Sequence, residues 1–139
     1  MKKSGKGQIL PPFSSPKKVR VMHEMGVAMQ IIEIATASIP ENSVQSRVLR
    51  VNLKVGKLSA VVSDSLRFCF EVAAKDTALE GAELVIDEIP VIALCNACGV
   101  KWTVESPVFI CNQCQSGKIE LLSGRELDIE SIEISDEND

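Results

Sequence analysis

The sequence predicts an α+β fold in which two helices pack on a three-stranded mixed sheet, with a cysteine-bearing ribbon module inserted between the last two strands. Three observations carry this reading. Apolar residues recur at helical spacing in two stretches and alternate with polar residues in the segments that follow them; two C-x2-C pairs then stand 12 residues apart; and an alternating pattern returns after Gly124. At 139 residues the chain has material for one domain, and with aromatics at only 4% the core must be built from aliphatic side chains.

Residues 1–21 contain Gly5, Gly7, Pro11-Pro12 and Ser14-Ser15-Pro16 with no sustained period, which predicts a disordered basic leader. Met25, Ala28, Met29, Ile32, Ala35 and Ile39 then recur as the buried stripe of a first helix over about 24–38, stopped by Pro40. Leu49, Val51, Leu53 and Val55 alternate with Arg50, Asn52 and Lys54 as a half-buried strand does, and Gly56 ends it. Ser63 or Asp64 caps a second helix ending near Lys75, with Leu66, Phe68, Cys69, Phe70, Val72 and Ala73 as its apolar face. Cys69 reads there as a small buried hydrophobe. Leu84-Val85-Ile86 form a second strand between Gly81 and Pro90. The last strand places Leu127 and Ile129 in one phase and Ile132 and Ile134 in the other, so a bulge at Ser131 is expected. The resulting organisation is a leader (1–21), an α+β domain (22–90 plus 121–135), a ribbon module (91–120) and an acidic tail (136–139).

Cys95-Asn96-Ala97-Cys98 and Cys111-Asn112-Gln113-Cys114 each bring two thiolates to one ion through a tight turn, and Gly99 follows the first pair where a positive φ is often needed. Trp102, Val104, Val108 and Phe109 are expected to form the arms of a small ribbon around Pro107. Five cysteines is an odd number, which cannot pair completely as disulfides. Structural zinc is the leading reading, making this a zinc-ribbon module; iron in a rubredoxin-like site and redox dithiols are the alternatives. Four thiolates leave zinc no open position, so the ion organises the chain rather than catalysing a reaction.

Charge and hydropathy narrow the function. Six of the 15 basic residues, Lys2, Lys3, Lys6, Lys17, Lys18 and Arg20, precede the first acid, Glu24. From Met22 onward nine basic residues face 19 acidic ones, a balance of −10 that repels phosphate backbones and argues against nucleic acid as partner. No apolar run has membrane-spanning length and no apolar stretch follows the N-terminal lysines, so a cytoplasmic, non-membrane protein is expected. With one histidine, no Gly-rich phosphate loop and no open zinc position, an enzyme is not expected.

That single histidine, His23, stands just ahead of the first helix. By pattern alone it is a surface or capping residue, and Glu24 is an acid favoured by the helix dipole. Met22-His23-Glu24-Met25 before an apolar helix, Val55-Gly56-Lys57-Leu58-Ser59, Asp64-Ser65-Leu66-Arg67-Phe68 and the two C-x2-C pairs together resemble the HypA/HybF family, accessory proteins for nickel insertion into [NiFe] hydrogenase. The resemblance covers Met22 to about Ser135, with the motifs in the family's order. It implies Ni(II) bound transiently at Met22, His23 and Glu24, and structural Zn(II) on Cys95, Cys98, Cys111 and Cys114. It also implies a nickel-handling GTPase and the hydrogenase large-subunit precursor as partners, with the chain a monomer or homodimer. Ni(II) accepts a square-planar nitrogen set, which a terminal amine, deprotonated backbone amides and an imidazole supply within one short segment. Here 21 residues precede Met22, so the amine is an ordinary amide unless synthesis begins at Met22 or the leader is removed; otherwise nickel takes a different ligand set. A zinc-ribbon adaptor that binds protein or nucleic acid without transporting nickel is the competing reading.

Overall fold

The computed structural model describes residues 7–9, 17–20, 23–41 and 46–135. Its elements are β1 (Gly7–Ile9), β2 (Lys17–Lys18), α1 (Glu24–Ala37), β3 (Val48–Gly56), α2 (Ser63–Ala73), β4 (Glu83–Ile89), β5 (Ile92–Cys95), β6 (Lys101–Thr103), β7 (Ile119–Ser123) and β8 (Leu127–Ser135). The expected three-stranded mixed sheet is present as β8-β3-β4. β3 pairs parallel with β4 through the α2 crossover, and antiparallel with β8. Both helices contribute to one core with these strands, built around Val27, Ile31, Val51, Leu53, Leu66, Phe70, Ile129 and Ile132. The sheet's other face is polar: Arg50 bonds Glu133 at 2.8 Å and Glu83 at 3.1 Å, and Lys54 pairs with Glu130 at 3.3 Å.

The main sheet has five strands rather than three, because β1 and β2 pair antiparallel with the outer edge of β8. The expectation of a leader without ordered structure therefore does not hold for residues 7–9 and 17–20; the rest of the leader, and the acidic tail 136–139, lie outside the described residues. An open edge of N–H and C=O groups is a template for any extended segment, so pairing orders a stretch with no period of its own.

Four local expectations shift. On α1 the buried residues are Val27, Ala28, Ile31 and Ala35, while Met25 and Met29 are 37% and 59% exposed. Val27, Ala28, Ile31, Ile32, Ile34 and Ala35 populate more than one helical face, so spacing admits more than one stripe. On β3 a register shift between Val48 and Arg50 buries Val48 and leaves Leu49 outside. On β8 the expected phase slip is present, but Ser131 is paired with Asn52, and the residue skipped in the register is Glu130. On α2 only Leu66 and Phe70 are buried; Phe68 is 66% exposed, and Cys69 is half-buried against the core.

The inserted module is a separate three-stranded sheet in the order β6-β5-β7, reaching Ser123, three residues beyond the expected boundary at 120. Chain entry and exit are locked by two glycines. A methyl group on Gly56 would be driven into the Gly124 carbonyl, whose oxygen accepts the Leu58 N–H at 2.7 Å. Gly124 itself has φ +117° and lies against Val91 at the module's entrance.

Candidate metal centre

The four cysteines expected to act as ligands converge. Cys95, Cys98, Cys111 and Cys114 place their sulfurs all within 4.8 Å of one another, with Cys95 to Cys114 at 3.5 Å and Cys98 to Cys111 at 3.6 Å. Thiolates around one zinc ion with bonds of about 2.3 Å lie about 3.8 Å apart, so the donor set and spacing fit a single tetrahedral zinc.

Two similar turns create this arrangement. In the first, the Cys95 N–H donates to the Val100 carbonyl at 2.9 Å and the Gly99 N–H donates to the Cys95 carbonyl at 2.8 Å. In the second, the Cys111 N–H donates to the Ser116 carbonyl at 3.0 Å and the Gln115 N–H to the Cys111 carbonyl at 2.9 Å. The fifth residue of each turn has positive φ, 85° at Gly99 and 64° at Gln115. Glycine adopts this freely and announces itself in sequence; Gln115 does not. The first turn also serves as the β5–β6 hairpin, so β6 pairs with β5 and not with the stretch after Pro107. This corrects the expected ribbon arms: Val108, Phe109 and Ile110 are exposed and outside any strand.

Backbone N–H groups prepare the sulfurs for an ion. The Cys98 N–H points at Cys95 Sγ (3.5 Å) and chiefly draws that thiol down to about 6; the Cys114 N–H does the same at Cys111 (3.4 Å), which is also lowered. Cys114 lies at the other extreme. The Ser116 N–H acts to lower it, but bonding with Cys95, burial and the remaining sulfurs together push it up to about 12. Cys98 is raised too: the Val100 N–H lowers it, against burial and the Cys111 and Cys95 sulfurs. The cluster thus favours the thiolate form at Cys95 and Cys111, and a dication would displace protons from the other two.

His23 and Glu24 form no such cluster. His23 is the exposed N-cap of α1; its carbonyl accepts the Val27 N–H at 2.9 Å, and its imidazole makes no capping bond. The Glu24 carboxylate is engaged elsewhere, accepting the N–H of Val62, the N-cap of α2, at 3.1 Å, and this bond first of all holds its pKa below the ordinary 4.5. The N-cap of α2 is therefore Val62 and not Ser63 or Asp64, no side chain caps its first turn, and the Glu24 bond to Val62 spans 38 residues, a contact that no local pattern signals. Met22 lies outside the described residues. Among the described residues, the four cysteines are the only group of three or more His, Cys, Asp or Glu side chains placed to share an ion.

Comparison with known proteins agrees with this layout. Residues 22–134 match the family model described as hydrogenase/urease nickel incorporation, metallochaperone, hypA. Hydrogenase maturation factor HypA of Desulfosudis oleivorans is 55% identical over 115 residues, covering 83% of this chain and all of the relative. That of Desulfatibacillum aliphaticivorans is 53% identical over 115 residues, 83% of this chain and 88% of the relative. The fold is also that of the nickel metallochaperone HypA from Helicobacter pylori, whose solution structure aligns with a TM-score of 0.58 at 22% identity, over 82% of this chain and 98% of the other. With two helices, a mixed sheet, an inserted four-cysteine module and a family match over most of its length, the chain belongs to the HypA family of nickel-incorporation metallochaperones.

Proposed function

We propose that the chain carries Ni(II) as cargo on the segment Met22-His23-Glu24 and delivers it during maturation of the [NiFe] hydrogenase large subunit, with zinc on Cys95, Cys98, Cys111 and Cys114 as a permanent structural ion. The observation that supports this most is the condition of His23. It is the chain's only histidine, it is exposed at the first turn of α1, and it stands one residue after the point where the family match begins.

An imidazole presented with no surrounding ligand cage suits an ion that must leave again. Backbone nitrogens beside it complete a planar set without further side chains, which agrees with the absence of a second acidic or histidine cluster among the described residues. Glu24 contributes through its backbone nitrogen, because its carboxylate is committed to the start of α2. The proposed partners are a nickel-handling GTPase and the hydrogenase large-subunit precursor, met in the cytoplasm by a monomer or homodimer. No enzymatic step is assigned to the chain.

Nickel and zinc titrations of the full chain and of His23→Ala test this reading. Loss of tight nickel binding with one zinc retained is expected; undiminished nickel binding by His23→Ala would place the nickel elsewhere on the chain, and no tight nickel binding by the full chain itself would leave the zinc-ribbon adaptor as the better reading.

A further inference from the structure

The outer edge of β8 is built to hold more than a passing strand. Lys17 and Lys18 pair with Ile129 and Asp128, and the Val19 N–H donates to the Leu127 carbonyl at 2.9 Å. The Val19 side chain enters the main core at 6% exposure. One residue on, the Gln30 side chain of α1 holds the Arg20 backbone in both directions: its Oε1 accepts the Arg20 N–H at 2.9 Å and its Nε2 donates to the Arg20 carbonyl at 3.0 Å. A side-chain amide used this way takes the place of a neighbouring strand. Asp128 adds a charge, its carboxylate only 8% exposed and paired with Lys18 Nζ at 3.5 Å.

The receiving groups Gln30, Leu127 and Asp128 lie inside the region matched by the family model, while the segment they hold lies outside it. The charges are complementary as well, since residues 1–20 carry six basic and no acidic side chains and the remainder has a balance of −10. Backbone pairing gives such a site affinity, and a single apolar pocket with one buried charge gives it selectivity.

We propose that the β8 edge, with Gln30 and Asp128, is a docking site for an extended basic protein segment in which a lysine precedes a β-branched aliphatic residue, and that residues 17–20 fill it intramolecularly. The same segment on a separate polypeptide binds it in trans. This proposal is independent of where nickel binds.

The test begins with the folded full chain carrying a protease site inserted between Arg20 and Val21, cut only after purification. The probe is a fluorescent synthetic peptide of residues 1–20. The cut leader is expected to stay bound at about 10 µM protein and to exchange one-for-one with the probe. Val19→Asp or Lys18→Glu in the probe, and Gln30→Ala in the body, should each weaken binding by about tenfold or more. The proposal is overturned if the leader separates and no probe binds the folded, cut protein. It is equally overturned if a scrambled peptide of the same charge binds as well, or if the exposed edge pairs with a second copy and excludes the probe.

Discussion

On the proposed function, the four-cysteine module and the His23 segment divide two kinds of metal chemistry between opposite structural conditions. In the module the ligands come from two turns 12 residues apart, the sulfurs are already within 4.8 Å of one another, and backbone N–H groups pre-set their protonation. Its other buried apolar residues are few, chiefly Val91 and Ala93, so the ion itself must supply most of the module's core. Around His23 the condition is reversed: the helix behind it is anchored in the main core through Val27, Ala28 and Ile31, and the imidazole is exposed. A region that needs its ion in order to fold retains it. A region that folds without its ion is free to give it away.

The largest expected effect separates the two regions outright. Cys95→Ser should cost several orders of magnitude in zinc affinity and abolish amide-exchange protection over residues 95–114, while β3, β4 and β8 keep theirs. Protection of that stretch in metal-free protein would erase the contrast. Next comes the junction that joins module to domain. Gly56→Ala sets a methyl group against the Gly124 carbonyl and should cost about 3 kcal/mol in denaturant unfolding, felt by both regions together because β3 and the module's exit meet there.

Acidification sharpens the comparison further. Amide nitrogens are retained as ligands only while nickel holds their protons off, so nickel should leave first as pH falls. Zinc, whose four thiolates the ion itself keeps deprotonated, should remain to lower pH. A metal-indicator titration reads the order of release; zinc leaving first would contradict it. The smallest effect belongs to Glu24. Its folded-state pKa lies below 4.5, so its bond to the Val62 N–H contributes stability above that value and loses it as pH falls through the lower, folded one. Glu24→Gln should therefore flatten a small part of the acid limb of the melting-temperature profile below about pH 4.5 and leave neutral-pH zinc content unchanged.

Sequence legibility followed the range of the interactions. The four cysteines were readable because two tight turns bring each pair together locally, and the central strands because Val51, Leu53 and Val55 alternate with polar residues. On α1 the spacing places Ala28 and Ala35 in the core, but the helix is apolar on more than one face, and only packing against α2 and the sheet selects Val27 and Ile31 over Met25 and Met29. Glu24 bonded to Val62, Gly56 crossing Gly124 and β2 seated on β8 are meetings of residues far apart in the chain, and no periodicity encodes them. Gln115 was silent for another reason: its positive φ is imposed by the metal turn and not by its own side chain. The nickel assignment rests on family resemblance, since a lone histidine at a helix start carries no spacing signal.

The most direct measurement is the nickel and zinc content of the full chain, His23→Ala and Cys95→Ser, each loaded with both ions and then washed with a mild chelator. Division of labour predicts that His23→Ala loses nickel and keeps one zinc, and that Cys95→Ser loses zinc while its folded α+β domain still takes up nickel. Nickel retained by His23→Ala but lost from Cys95→Ser would contradict it, placing the cargo on the cysteines.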